Sequence, residues 1–326
     1  MTRIPIGYFF LDSPPTEDLQ LLEFRTVDSH HLQNPSRDLI DTVRQMENIQ
    51  EWMREYIIAS QGERIPFIGM LKNNDDTVHM ASAIRQLLSL PINWFESLKN
   101  IDDSFKHIRK AVSNIGVIVM MSGIVGTNTH RALNIDEFRA FTLIDDYAPL
   151  IFINSTDSRS GMLFSLLHEF IHITIGTNNF YNADINDSNY INPHEIMCNA
   201  VTAEILVPKS LFKNKWQNAS GELEKKTQTL ASYFKCSQTV IFRRALDNGY
   251  ITNNEYNLFI TQTKQITKEK RTTSGGDFYK TQATRIDKKF LLALNASLHE
   301  GKTLHSEAFR MTNTNRTTFE ELINEV

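Results

Sequence analysis

One segment, residues 160–175, restricts the fold of this chain more than any other. Its pattern predicts an α-helix that begins after N-cap candidates at 156–158 and ends at Gly176. Apolar residues occur on every side of this helix: Met162, Leu163, Phe164, Leu166, Leu167, Ile171, Ile173 and Ile175. A helix that is apolar all round must be buried, so the core of the protein forms around this segment.

The same helix carries ionisable residues in the order His168-Glu169-Phe170-Ile171-His172. A spacing of four residues is about 400° of helical rotation, so both imidazoles reach a single ion while Glu169 flanks its open side. Random placement of the histidines and glutamates would give roughly 0.02 matches to this pattern. Buried imidazoles and carboxylates need partners, because unpaired polar burial is unfavourable. The spacing therefore predicts one bound zinc ion per chain; the alternative is a surface histidine pair beside an exposed glutamate.

A catalytic zinc site takes three protein ligands and keeps a fourth position open. A third histidine six residues beyond His172 is excluded, because that position is Asn178. The other common arrangement uses a glutamate from a second helix, and Glu195 lies just inside the helix predicted over 193–207. Glu204 lies about 180° around that helix from Glu195, so only one of the two can face the metal.

The loop 177–192 and the start of the next helix supply weaker candidates. Asp184 and Asp187 stay as alternative third ligands. Asn199 follows Glu195 by one helical turn and could hydrogen-bond a ligand histidine, or could be a polar helix residue with no role. Possible donors to the oxyanion of a tetrahedral intermediate are His194, Tyr181 and Tyr190, although each is also explained as ordinary loop structure.

The remaining pattern predicts an α+β fold, in which a small twisted β-sheet carries the metal-binding helix and mostly helical regions flank it. Strands are predicted over 115–121, 140–144 and 149–154, and further helices over 39–60, 77–90 and 94–113. The predicted regions are a helical N-terminal region 1–113, a metallopeptidase core 114–210, a helical segment 211–271 and a C-terminal helical region 272–326.

Composition excludes several classes of protein. The chain has 34 Lys and Arg against 38 Asp and Glu, so no polybasic composition indicates binding to nucleic acid or membrane. Cys198 and Cys236 are its only cysteines, which excludes a disulfide framework and a four-cysteine zinc site. The longest apolar stretch, 115–125, falls short of the about 18 residues of a spanning helix, and no secretory signal is recognisable. We therefore expect a cytoplasmic protein without membrane association.

Four stretches resemble the ImmA/IrrE family of metallo-endopeptidases: 138–143, 149–154, 166–172 and 195–208. The last is similar to the family signature E-x-x-A-N-x-x-A-A-E-L-L-M-P, with Cys198 and Thr202 at two of its small positions. The resemblance implies that Glu195 is the third ligand. It weakens outside about 115–210. Longer relatives carry an Xre-type helix-turn-helix domain before this region, and we expect this chain to be a long form that lacks it.

Membership of that family implies a zinc endopeptidase that cuts a partner protein, typically a helix-turn-helix repressor of a mobile element or stress operon. Zinc would polarise the scissile carbonyl, and Glu169 would take a proton from water and pass it to the leaving amine. The strand predicted over 149–154 could be the sheet edge to which an extended substrate adds. A toxin restrained by a cognate antitoxin is a further interpretation of the same site.

A competing hypothesis uses the segment 227–250, in which residues 230–246 have the L-A-x-x-F-x-x-S-x-x-x-V pattern of a helix-turn-helix. It makes the chain a DNA- or protein-binding transcriptional regulator with a vestigial protease site. A packed helical pair beside the protease core is favoured, because Arg243 and Arg244 alone give little phosphate binding.

Overall fold

The computed structural model describes residues 23–25, 35–176, 193–269 and 284–325. Within these ranges the strands are β1 (Glu23–Arg25), β2 (Ile118–Ser122), β3 (Ile124–Val125), β4 (Asn128–Ala132), β5 (Ala140–Leu143) and β6 (Leu150–Asn154). The helices are α1 (Arg37–Ala59), α2 (Thr77–Leu87), α3 (Ile101–Asn114), α4 (Arg159–Ile175), α5 (Pro193–Leu206), α6 (Lys209–Asn218), α7 (Leu223–Phe234), α8 (Gln238–Asp247), α9 (Asn253–Glu269), α10 (Lys288–His299), α11 (His305–Thr312) and α12 (Arg316–Asn324).

The main sheet is small and mixed. Its strands follow the order β1-β5-β6-β2, with β6 parallel to β2 and antiparallel to β5, and with β1 antiparallel to β5. Strands β3 and β4 form a separate antiparallel pair. The predicted α+β class is therefore confirmed, with a small sheet among many helices.

Side chains alternate across the sheet and build two cores. Ala140, Ile151 and Ile153 belong to the core that contains the apolar side chains of α4. Phe141 and Phe152 are adjacent in sequence to these residues and therefore point to the opposite face of the sheet. They belong to a second core with residues of α1 and α10–α12. Both faces are thus covered, which explains why these strands are nearly continuous apolar runs rather than alternating ones. Each large apolar side chain buried in this way stabilises the fold by about 1.5–3 kcal/mol.

Helix α4 lies between the sheet and a layer of helices. It contacts β5 and β6 on one side and α3 and α5 on the other, and α2 in turn packs on α5. This placement buries α4 all round, as its sequence requires. No helix in the described part of the chain is long and apolar enough to cross a membrane.

The outer edge of β2 is covered by side chains. The Val119 amide donates to Oδ2 of Asp287 at 3.2 Å, and Arg109 donates to the Val119 carbonyl at 2.9 Å. Arg109 also donates to the carbonyls of Thr284 and Ile286, at 2.6 and 3.2 Å. These bonds satisfy backbone groups at the sheet edge and attach the C-terminal region to it.

Two sequence-based expectations were wrong. The helix expected over 94–113 is interrupted: a 3-10 turn at Trp94–Ser97 precedes α3, because Asn100 caps the new helix by accepting from the Asp103 amide at 2.9 Å. The strand expected to offer an edge to substrate is β6, which lies inside the sheet between β5 and β2. Its backbone groups on both sides are already paired, so no substrate can add to it.

Candidate metal centre

Helix α4 is fixed at both ends and buried along its length. Ser158 caps its start by accepting from the Gly161 amide at 3.1 Å, and Gly176 ends it in the left-handed conformation, with φ at 67°. The side chains of the motif are almost inaccessible: His168 is 0% exposed, Glu169 1% and His172 4%. The motif therefore lies in the core rather than on a surface, which excludes the surface-pair alternative.

The two imidazoles meet the carboxylate of Glu195, which projects from the first turn of α5. The Nε2 atoms of His168 and His172 lie 3.0 Å apart. One carboxylate oxygen of Glu195 lies 3.1 Å from Nε2 of His168, and the other lies 3.1 Å from Nε2 of His172. The structure thus brings together, within 4.8 Å of one another, the three side chains that the sequence proposed as ligands.

The donor set fits a zinc ion. Two imidazole nitrogens and one carboxylate oxygen are ligands of a catalytic zinc site with an open fourth position. A tetrahedral ion with bonds of about 2.0–2.1 Å would hold its ligand atoms roughly 3.3 Å apart, slightly more than the separations of 3.0 and 3.1 Å found here. Small side-chain rotations would accommodate the ion, and the backbone placement of α4 and α5 already suits it.

Electrostatics keep the third candidate ligand ionised. Burial acts to raise the pKa of the Glu195 carboxyl, but hydrogen bonds and charge interactions with His168 and His172 outweigh burial and hold that pKa well below its usual range. A carboxylate must be deprotonated to bind a metal, so the lowered pKa of Glu195 favours its ligand form.

A contact that the sequence analysis missed holds the carboxylate of Glu169. The hydroxyl of Thr142, on β5, donates to Oε2 of Glu169 at 2.8 Å, and Thr142 is itself buried. The available signal was a polar residue in an otherwise apolar strand. The alternation of side chains along a strand does not show which helix residue the Thr142 side chain will contact. That contact is determined only by the packing of α4 on β5.

The surroundings of His172 differ from the expectation. The sulfur of Cys198 lies 3.9 Å from Nδ1 of His172. Asn199, expected beside a ligand histidine, is half-buried and makes no side-chain hydrogen bond to the described residues. His194 is half-buried in the first turn of α5, outside the three-residue cluster. Four other candidates lie outside the described residues: Tyr181, Tyr190, Asp184 and Asp187.

Glu204 faces away from the cluster, as the helical geometry of α5 predicts. Its carboxylate forms a buried ion pair with Arg244 of α8 and accepts from the Lys209 amide at 3.1 Å. Arg244 also donates to the Val207 carbonyl at 3.0 Å, and Arg85 of α2 donates to the Glu204 carbonyl at 3.1 Å. This network ties the metal-bearing α5 to α2 and to α8.

The helix-turn-helix-like pair is α7 and α8, and it packs into the same core as α4. In α8, which the structure describes throughout, the exposed side chains are those of Arg243 and Asp247, and these two form an ion pair at 3.0 Å. A recognition helix must offer several side chains to base edges and phosphates. Helix α8 offers a neutralised pair, which favours a packed structural role.

Comparisons with known families agree with this site. Residues 128–246 match a peptidase family model described as an IrrE N-terminal-like domain, and residues 286–325 match a domain of unknown function, DUF8813. Comparisons with curated proteins and with solved structures give no match. The peptidase match contains His168, Glu169, His172 and Glu195. It ends at residue 246, near the end of α8, so it includes nearly all of the helix-turn-helix-like pair.

Proposed function

Since residues 128–246 belong to the ImmA/IrrE family of metallopeptidases, we propose that the chain is a zinc-dependent endopeptidase that hydrolyses a peptide bond in a partner protein. One observation carries the proposal: His168, His172 and Glu195 converge from two helices, and Glu169, the residue next to His168 on α4, is buried as well. A structural role alone would not require two imidazoles and two carboxylates in an apolar core.

The residues divide the reaction between them. His168, His172 and Glu195 would hold the ion, and the carboxylate of Glu195 would offset part of its charge. When bound, zinc supplies Lewis acidity that polarises the scissile carbonyl and lowers the pKa of water. Glu169 accepts the proton from the attacking water and delivers it to the nitrogen of the leaving amine, so the peptide bond breaks without a covalent enzyme intermediate.

Thr142 supports the base in this scheme. Its hydroxyl donates to Oε2 of Glu169 and so orients the carboxylate that takes up the proton. Because this hydrogen bond holds the Glu169 carboxylate against β5, the carboxylate has less reorientation to undergo when the substrate binds.

We propose a helix-turn-helix repressor, or the antitoxin of a toxin-antitoxin pair, as the partner that is cut. The support is the family resemblance of the sequence, and the packed state of α8 makes a DNA-binding regulator the weaker alternative. The switch and toxin interpretations differ in what happens when the chain acts alone. Growth on inducing the wild-type chain, compared with Glu169→Gln, separates them: equal growth contradicts toxicity.

The test is direct. Purified wild-type chain, loaded with zinc, is incubated with helix-turn-helix proteins encoded near its gene, and intact-mass spectrometry identifies fragments. We expect two complementary fragments with wild type and none with Glu169→Gln, which retains the metal ligands. Equal fragments from wild type and Glu169→Gln would point to a contaminating protease and would contradict the proposal.

A further inference from the structure

The strand nearest the proposed base has its outer edge covered by the chain itself. Helix α4 packs on β5, and Thr142 of β5 contacts Glu169. On the side of β5 away from β6 lies β1, in antiparallel register with Glu23 opposite Thr142, Phe24 opposite Phe141 and Arg25 opposite Ala140. The N-terminal segment therefore adds a strand to the sheet beside the candidate metal centre.

The direction of the backbone groups follows from the pairing with β6. The Asn154 amide donates to the Arg139 carbonyl at 2.9 Å, so residue 139 directs its carbonyl toward β6. In an antiparallel ladder successive residues direct their N–H and C=O groups to opposite sides. Ala140 and Thr142 therefore direct their backbone groups toward β1, where they meet Arg25 and Glu23.

The opposite edge of the sheet is closed in another way. At β2, Asp287 and Arg109 bind the amide and the carbonyl of Val119. Extended peptides bind to proteins by adding a strand to a sheet edge, with main-chain hydrogen bonds as the common recognition element. Among the described strands of the main sheet, β5 contacts the proposed base through Thr142. If β1 were removed, the outer side of β5 would have no neighbouring strand and could pair with a peptide.

We propose that Glu23–Arg25 and an extended segment of the substrate compete for the outer edge of β5, so that the chain's own N-terminal segment restrains access to the site. This inference rests on the proposed peptidase function. A substrate paired with β5 in the register of β1 would pass Thr142, whose hydroxyl contacts Glu169. The strand is three residues long, so a partner segment with a longer ladder can displace it.

The experiment uses full-length variants that differ in one ladder bond. Arg25→Pro removes an N–H that faces β5, since Arg25 is opposite Ala140 in a hydrogen-bonded pair. Phe24→Pro is the matched control, because the N–H of the intervening residue faces away from β5. Hydrogen exchange of the Ala140 and Thr142 amides, read by mass spectrometry, reports whether the edge is covered, and it needs no peptidase activity.

Binding is measured with two probes in the Glu169→Gln background, where no cleavage occurs. One is a synthetic peptide with the sequence of residues 19–29, and the other is a mixture of unstructured ten-residue peptides. We expect the amides of Ala140 and Thr142 to exchange about tenfold faster in Arg25→Pro than in Phe24→Pro. We also expect Arg25→Pro to bind both probes about tenfold more tightly. Both changes correspond to the loss of roughly one net ladder hydrogen bond. The peptide of residues 19–29 should restore slow exchange to Arg25→Pro.

Two results would overturn the competition: unchanged amide exchange in Arg25→Pro, or an opened edge that binds neither probe more tightly. Failure of the peptidase function has a different signature. In that case the opened edge binds peptides, but zinc-loaded Arg25→Pro with Glu169 intact hydrolyses none of them.

Discussion

Thr142 and Glu169 are 27 positions apart in sequence, and the hydroxyl of Thr142 donates a 2.8 Å hydrogen bond to the carboxylate of Glu169. The bond joins the proposed catalytic base to strand β5, whose outer edge pairs with the N-terminal segment. The orientation of the base and the accessibility of the sheet edge are therefore properties of the same strand.

Replacing Thr142 by Val should weaken catalysis without loss of metal. The methyl group fills the space of the hydroxyl but donates no hydrogen bond, so we expect unfolding to be easier by about 1.5–3 kcal/mol and turnover to fall about tenfold or more. Thr142→Ser keeps the donor and should restore most of the turnover. Zinc content, urea unfolding and cleavage of a peptide that wild type hydrolyses are the measurements; a serine variant as slow as the valine variant would contradict the positioning role.

Zinc content should depend on Glu195 and not on its neighbour in α5. We expect about one zinc ion per wild-type chain by elemental analysis, and affinity at least about tenfold weaker in Glu195→Ala and in His168→Ala. His194→Ala is the control, since His194 lies outside the cluster although it could be a ligand by residue type. Metal loss in His194→Ala equal to that in Glu195→Ala would show that the site is assembled differently.

The buried pair of Arg244 and Glu204 should dominate the coupling between α5 and α8. Arg244→Ala leaves the carboxylate of Glu204 buried without its ion-pair partner, and we expect unfolding to be easier by about 3–5 kcal/mol. Arg243→Ala removes an exposed arginine from the same helix, where the expected change is within about 0.5 kcal/mol. Denaturant unfolding of both variants measures the difference, and similar midpoints would refute the proposed coupling.

Gly176 should be intolerant of a side chain for two separate reasons. Its φ is +67°, and a Cβ there would lie 2.5 Å from the Cα and 2.7 Å from the amide nitrogen of Gly69. Gly249 has a φ of +70° but nothing within 4 Å of such a Cβ. We expect Gly249→Ala to destabilise by about 1–2 kcal/mol and Gly176→Ala by a further 1–3 kcal/mol or so. Equal thermal midpoints would mean that the contact with Gly69 relaxes freely.

DNA binding should be weak and nonspecific. Because Arg244 is buried and Arg243 is paired with Asp247, α8 presents few groups to a duplex. We expect fluorescence anisotropy with labelled duplexes to give affinities no tighter than roughly 10⁻⁶ M at physiological salt, without sequence preference. Nanomolar, sequence-dependent binding that persists when His168 and His172 are replaced would revive the regulator hypothesis.

The sequence by itself determined the parts of the site that depend on one helix at a time. The spacing of His168 and His172 places both rings on one face, and the nearly complete apolar surroundings require burial. The angular separation of Glu195 and Glu204 allowed one of them to face the ion, and the structure has Glu195 there and Glu204 against Arg244. These inferences held because helical periodicity is a local property of the chain.

Only the tertiary structure decided which strand lies beside the base and which edge is open. The runs that became β5 and β6 are both apolar, because both faces of the sheet are buried, so neither one is marked as central or edge. Strand order depends on pairings between distant segments: β6 with β2, and β5 with the N-terminal residues Glu23–Arg25. The contact of Thr142 with Glu169 and the covered edge of β5 follow from that order. The order could not be read from the sequence, because strands pair through backbone hydrogen bonds, which are the same whatever side chains the strands carry.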